Sequence, residues 1–63
     1  MRESMKRIFA EALEGGFKPY AYTSTEANAV IIRNERQKYH PDSNPSIGLL
    51  PDDSYVIWTR TQG

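Results

Sequence analysis

The run from Ser46 to Thr61, SIGLLPDDSYVIWTRT, constrains the fold more than any other part of the chain. Two segments rich in β-branched, aromatic and aliphatic residues flank Pro51-Asp52-Asp53. Proline presets the first dihedral of a turn, and aspartate suits the positions after it. The pattern predicts a β-hairpin with strands over Ser46–Leu50 and Ser54–Thr61. Val56-Ile57-Trp58 is apolar at consecutive positions. Successive strand residues point to opposite faces, so this strand is covered on both and belongs at the centre of the sheet.

Two helical segments precede the hairpin. Met5, Ile8, Phe9, Ala12 and Leu13 fall at i, i+3, i+4, i+7 and i+8, one apolar stripe at helical spacing over residues 3–14. Gly15-Gly16 stops that helix, because glycine accepts the left-handed C-terminal cap without strain. FKPYAYT, residues 17–23, reads as a short edge strand or an extended connection: Pro19 pushes Lys18 out of the helical region, and the aromatic rings suit a pleated surface. Residues 23–39 predict a second helix, with Thr23-x-x-Glu26 in capping-box form and Pro41 just beyond its end. Val30-Ile31-Ile32 is β-branched and leaves a strand open over Ala29–Arg33. Gln62-Gly63 reads as a polar tail. The expected fold class is α+β, with two helices packed on a small, mostly antiparallel sheet in the order α-β-α-β-β, forming one domain over residues 1–63.

Composition bounds the chemistry. The 63 residues hold no cysteine and one histidine, so disulfides and thiolate metal sites are excluded and no cofactor or metal is expected. A core this small is held by close packing or by self-association. Residues 1–16 are charged and amphipathic and do not read as a signal peptide. The longest aliphatic run, Ala29-Val30-Ile31-Ile32, is far short of the roughly 20 residues of a membrane span. A soluble, cytoplasmic protein is expected. There is no nucleophile elbow and no glycine-rich phosphate cradle, and a chain of this size leaves little room for a water-excluding cleft. A non-enzymatic role follows, with no small-molecule substrate.

Binding is the remaining class. The net charge is zero, against the basic excess usual in nucleic-acid-binding domains. Residues 33–38 nonetheless gather Arg33, Asn34, Arg36, Gln37 and Lys38 on the second helix. Arginine and lysine suit guanine and phosphate, and asparagine and glutamine suit adenine. A polar helix followed by a hairpin has winged-helix order, with residues 51–54 as the wing, although Asp52 and Asp53 there repel phosphate. This makes nucleic-acid binding by a small regulatory module the favoured expectation. The competing expectation is a protein-interaction adaptor or inhibitor, or a homodimer, using a sheet edge and exposed aromatics: Tyr20, Tyr22, Tyr39, Tyr55 and Trp58.

The segment Lys38-Tyr39-His40-Pro41-Asp42-Ser43-Asn44-Pro45 resembles the end of the second helix and the following loop of J-domain co-chaperones. That resemblance implies that His40, Pro41 and Asp42 engage a heat-shock chaperone and stimulate its ATPase, with Arg33 and Lys38 on a basic docking face. The family places a long third helix after this loop and a core leucine where this chain has Glu35. Here hairpin residues follow, so the loop reads mainly as a helix stop and turn.

Overall fold

The computed structural model describes the backbone of residues 3–60 and the side chains of residues 5–60. Its elements are α1 (Glu3–Glu14), β1 (Phe17–Thr23), α2 (Glu26–Tyr39), a 3-10 turn (Pro41–Ser43), β2 (Ser46–Leu49) and β3 (Tyr55–Arg60). The strands form one sheet in the order β1-β3-β2. Both pairings are antiparallel, so β1 and β2 run parallel with β3 between them. The α+β order α-β-α-β-β and the central last strand agree with the expectation. Thr61 and the tail Gln62-Gly63 lie outside the described residues.

The expected bounds of α1 hold. Its end is closed by Gly15 N–H donating to the Glu11 carbonyl (3.0 Å) and Gly16 N–H to that of Leu13 (3.1 Å). Gly16 has φ 85°, the left-handed conformation that glycine reaches without a Cβ penalty. Leu13 departs from the expected stripe: it is 61% exposed. It lies about 100° around the helix from Ala12, at the flank of the stripe.

The start of α2 is corrected from residue 23 to Glu26. Thr23 pairs with Tyr55 in the sheet and is not available as the cap. Thr25 is the N-cap instead, its Oγ1 accepting from Asn28 N–H at 3.3 Å, while Thr23 Oγ1 accepts from Thr25 N–H at 3.4 Å. The β-branched run resolves as helix. Ala29 is fully buried and Ile32 half-buried, whereas Val30 and Ile31 face solvent. Burial of one face outweighs the small β preference of the others.

The two helices lie on opposite faces of the sheet. Registers Tyr22↔Val56 and Ala21↔Ile57 put Tyr22, Val56 and Trp58 on one face, and Ala21, Ile57 and Thr59 on the other. Phe9 of α1 packs edge-on to Trp58 (5.5 Å between centroids) and Tyr22 (6.5 Å), on the first face. Helix α2 lies beside Ala21 on the second, and the two helices do not touch. The Cα framework measures 33 × 30 × 11 Å. Among the described residues, Ala29, Leu50, Val56 and Ile57 are the buried aliphatic ones.

The hairpin closes as a turn at Leu50–Asp53, with Asp53 N–H donating to the Leu50 carbonyl (3.0 Å) and Leu50 N–H to that of Ser54 (2.8 Å). Asp53 sits at φ 67°. Asp52 Oδ1 accepts from the Ser54 N–H and hydroxyl, at 3.1 and 2.5 Å. This side-chain bridge stiffens the turn without glycine.

Candidate binding groove

A register shift in the sheet positions the site. The β1–β3 register shifts between Pro19 and Ala21, leaving Tyr20 as the extra residue of a bulge. Pro19 has no N–H to give the ladder, and a bulge re-aims the side chain it releases. An open groove of about 610 Å³ follows, lined by Tyr20, Ala21, Ile32, Glu35, Arg36, Tyr39 and His40. Its apolar part is Ala21 and Ile32, between β1 and α2. The guanidinium of Arg36 lies over the Tyr20 ring, 4.6 Å from its centroid. A cation–π contact of this kind restrains the arginine while its N–H groups keep their capacity for a planar acceptor. Arg36 Nε is buried with no hydrogen-bond partner. Tyr39 is 65% exposed, and Lys38 Nζ approaches its ring at 5.4 Å.

The five residues expected to contact nucleic acid do not share one face. At about 100° per residue, Arg36, Arg33, Gln37, Asn34 and Lys38 spread over roughly 200° of the helix. Arg33 and Arg36 are half-buried, Arg36 lining the groove beside the sheet, while Asn34, Gln37 and Lys38 are exposed. Arg33 donates to Asn34 Oδ1 at 2.8 Å, so part of this set satisfies itself. The winged-helix arrangement does not form. A recognition helix needs a helix packed before it, and α1 lies across the sheet from α2. The hairpin is part of the sheet that α2 covers, so it does not project beside α2 as a wing.

Of the aromatics expected at an interface, Tyr20, Tyr22 and Tyr39 are exposed. Tyr55 and Trp58 are half-buried, because the central strand turns Trp58 onto Phe9 of α1. Tyr20 and Tyr39 meet in the groove, whereas Tyr22 stands on the opposite face. Sequence reasoning missed Ala21, Ile32, Glu35 and His40 as groove residues. Proline inside an edge strand was the available signal for a bulge, and hence for where Tyr20 points.

The His40 loop is a compact stop. His40 caps α2, its N–H donating to the Arg36 carbonyl at 2.8 Å. Its own carbonyl accepts from the Ser43 N–H (3.0 Å) and hydroxyl (2.6 Å). Ser43 is buried, and Asn44 turns the chain at φ 49° into Pro45 and β2. The long third helix of the J-domain pattern is replaced by a strand, so His40-Pro41-Asp42 lacks the helical hairpin that would present it.

No group of three or more potential metal ligands occurs among the described residues, and no helix there is long and apolar enough to cross a membrane. Compared with known proteins, the chain matches no family model, no curated protein and no solved structure.

Proposed function

We propose that this protein is a small non-catalytic binding module, and that the β1–α2 groove receives a protein segment carrying a carboxylate beside an apolar anchor. The observation that carries this reading is the Tyr20–Arg36 stack next to exposed Tyr39, above Ala21 and Ile32. Tyrosine and arginine dominate the energetics of protein interfaces. An arginine already held on a ring loses less freedom when it takes a carboxylate. With Glu35 in the same lining, Arg36 is left to match a single carboxylate, and the groove is a poor fit for a polyanion.

The test is selection of a random peptide library displayed on phage, followed by titration of the enriched peptides as synthetic probes. Enriched sequences are expected to pair an acidic residue with an apolar one. Tyr39→Ala and Arg36→Ala are each expected to weaken binding roughly 5- to 30-fold, the range of about 1–2 kcal/mol for an interface anchor. Peptides that bind both variants as well as the parent overturn the proposal.

A second reading, nucleic-acid binding, has one observation in its favour: Asn34, Gln37 and Lys38 are all exposed on α2. Duplex and single-stranded oligonucleotides titrated across a salt series test it. Binding must appear at low salt and weaken as salt rises, because released counterions drive it. No binding at low salt ends that reading.

A further inference from the structure

The sheet has two free edges among the described residues, and they differ. The β1 edge carries Lys18, Pro19 and the bulge at Tyr20, each of which blunts pairing with another strand. The β2 edge, Ser46-Ile47-Gly48-Leu49, has no charge, no proline and no bulge.

The direction of its free hydrogen-bonding groups follows from the turn. Leu50 directs both its N–H and its carbonyl to the β3 side. Along an antiparallel strand these directions alternate, so Gly48 and Ser46 also bond inward to β3. Ile47 and Leu49 therefore turn their N–H and carbonyl groups outward. They are flanked by Pro45 and Pro51, neither of which has an N–H. In the segment Pro45-Ser46-Ile47-Gly48-Leu49-Leu50-Pro51, Gly48 is central, with aliphatic Ile47 and Leu49 on either side of it and a proline at each end.

We infer that β2 pairs with β2 of a second copy of this chain, antiparallel, about a two-fold axis at Gly48. In that register Ile47 faces Leu49 of the other copy, and Leu49 faces its Ile47. Each pair exchanges two backbone hydrogen bonds, so every outward group of Ile47 and Leu49 is used. Gly48 meets its own copy in the closer, non-bonded type of pair, where it brings no side chain. The prolines fall opposite one another at the two limits of the ladder, where neither has a donor to lose. No like charges are brought together, because the strand has none. Leu49, 62% exposed in the single chain, is covered by Ile47 of the other copy. The two three-stranded sheets become one of six strands. A foreign peptide has no reason to match this symmetric spacing; a second copy matches it by identity. The groove between β1 and α2 lies at the far side of the sheet, so the two proposals stand or fall separately.

Sedimentation of the full chain across concentration provides the first measurement. The mass is expected to rise from 7.2 kDa to twice that value. Leu49→Lys places a charge on the edge and is expected to hold the chain at monomer mass, with an unchanged circular dichroism spectrum because Leu49 is exposed. The second measurement does not depend on that variant and uses cysteine, which the chain lacks. Paired positions lie about 5.5 Å apart between Cα atoms, within disulfide range. Diagonal ones are about 7–8 Å apart. Oxidation of an equimolar mixture of Ile47→Cys and Leu49→Cys is expected to give a covalent dimer at least tenfold faster than either variant alone. Monomer mass at every concentration overturns the inference. So does dimerisation insensitive to Leu49→Lys, or cross-linking of a single variant as fast as the mixture.

Discussion

Gly48 is the residue whose replacement by alanine tests the α1 side of the sheet. A Cβ at Gly48 would lie 2.6 Å from Trp58 Nε1, 3.2 Å from its Cδ1 and 3.4 Å from Val56 Cγ1. An ordinary contact needs nearly another ångström from the indole nitrogen. The indole is a rigid ring, and Phe9 packs on it with centroids 5.5 Å apart at an interplanar angle of 67°. Moving the ring therefore disturbs the seat of α1. Overpacking of this kind costs about 1–3 kcal/mol. Loss of glycine's freedom in the unfolded chain returns about 0.5–1 kcal/mol. Gly48→Ala is thus expected to destabilise by about 1–2 kcal/mol, which lowers Tm by roughly 5–15 °C in a domain of this size. The assay is urea and thermal unfolding, read by circular dichroism so that all variants share one signal, at concentrations low enough to keep the chain monomeric. In a Trp58→Leu background the same substitution should be nearly neutral, because the obstructing ring is gone. Equal costs in the two backgrounds, or a Gly48→Ala chain as stable as the parent, would refute the reasoning.

Four further outcomes follow from local geometry. Thr25→Ala should destabilise by about 1 kcal/mol in chemical unfolding through loss of the α2 cap, and Thr23→Ala by less; the reverse order would return the cap to Thr23. Thr59→Val should stabilise by about 1 kcal/mol in the same assay, because the Thr59 hydroxyl is buried without a hydrogen-bond partner and valine has the same shape. Asp53→Gly should raise stability by about 0.5–1 kcal/mol by relieving a left-handed residue, whereas Asp53→Val should lower it. The chain should not stimulate the ATPase of a heat-shock chaperone; stimulation that His40→Gln abolishes would show that the loop works without its usual scaffold.

Element types were legible in the sequence because each carried a local signal that agreed with its neighbours. The stripe from Met5 to Ala12 and the double glycine bound α1, and the Pro51-Asp52-Asp53 turn bound the hairpin. Val56-Ile57-Trp58 placed β3 at the centre. Competition between two adjacent threonine signals was not legible. Thr23 and Thr25 can each cap a helix, and pairing of Thr23 with Tyr55 decides between them. That pairing joins residues far apart in the chain, so no window around Thr23 contains it. The predicted helix forms through Val30–Ile32, but the β-branched run left a strand open there for a related reason. Burial of Ala29 settles it, and alanine gives almost no signal of its own in a hydrophobic pattern.

The site was less legible because composition identifies side chains without saying which way they point. Arg33 to Lys38 looked like one basic surface, and the position of Ala29 against the sheet divides it. Arg36 turns into the groove, Arg33 bonds exposed Asn34, and Lys38 turns out. One bulge then carries Tyr20 under Arg36, so two residues assigned to rival interfaces become neighbours in one groove. The same parity governs β2. Inward bonding of Leu50 determines that Ile47 and Leu49 offer their backbones outward, and that Gly48 lies under Trp58. With so few fully buried side chains, whatever the sheet turns outward is a large share of the molecule. Contact surfaces in a chain of this size are accordingly set by strand register more than by the identity of its exposed residues.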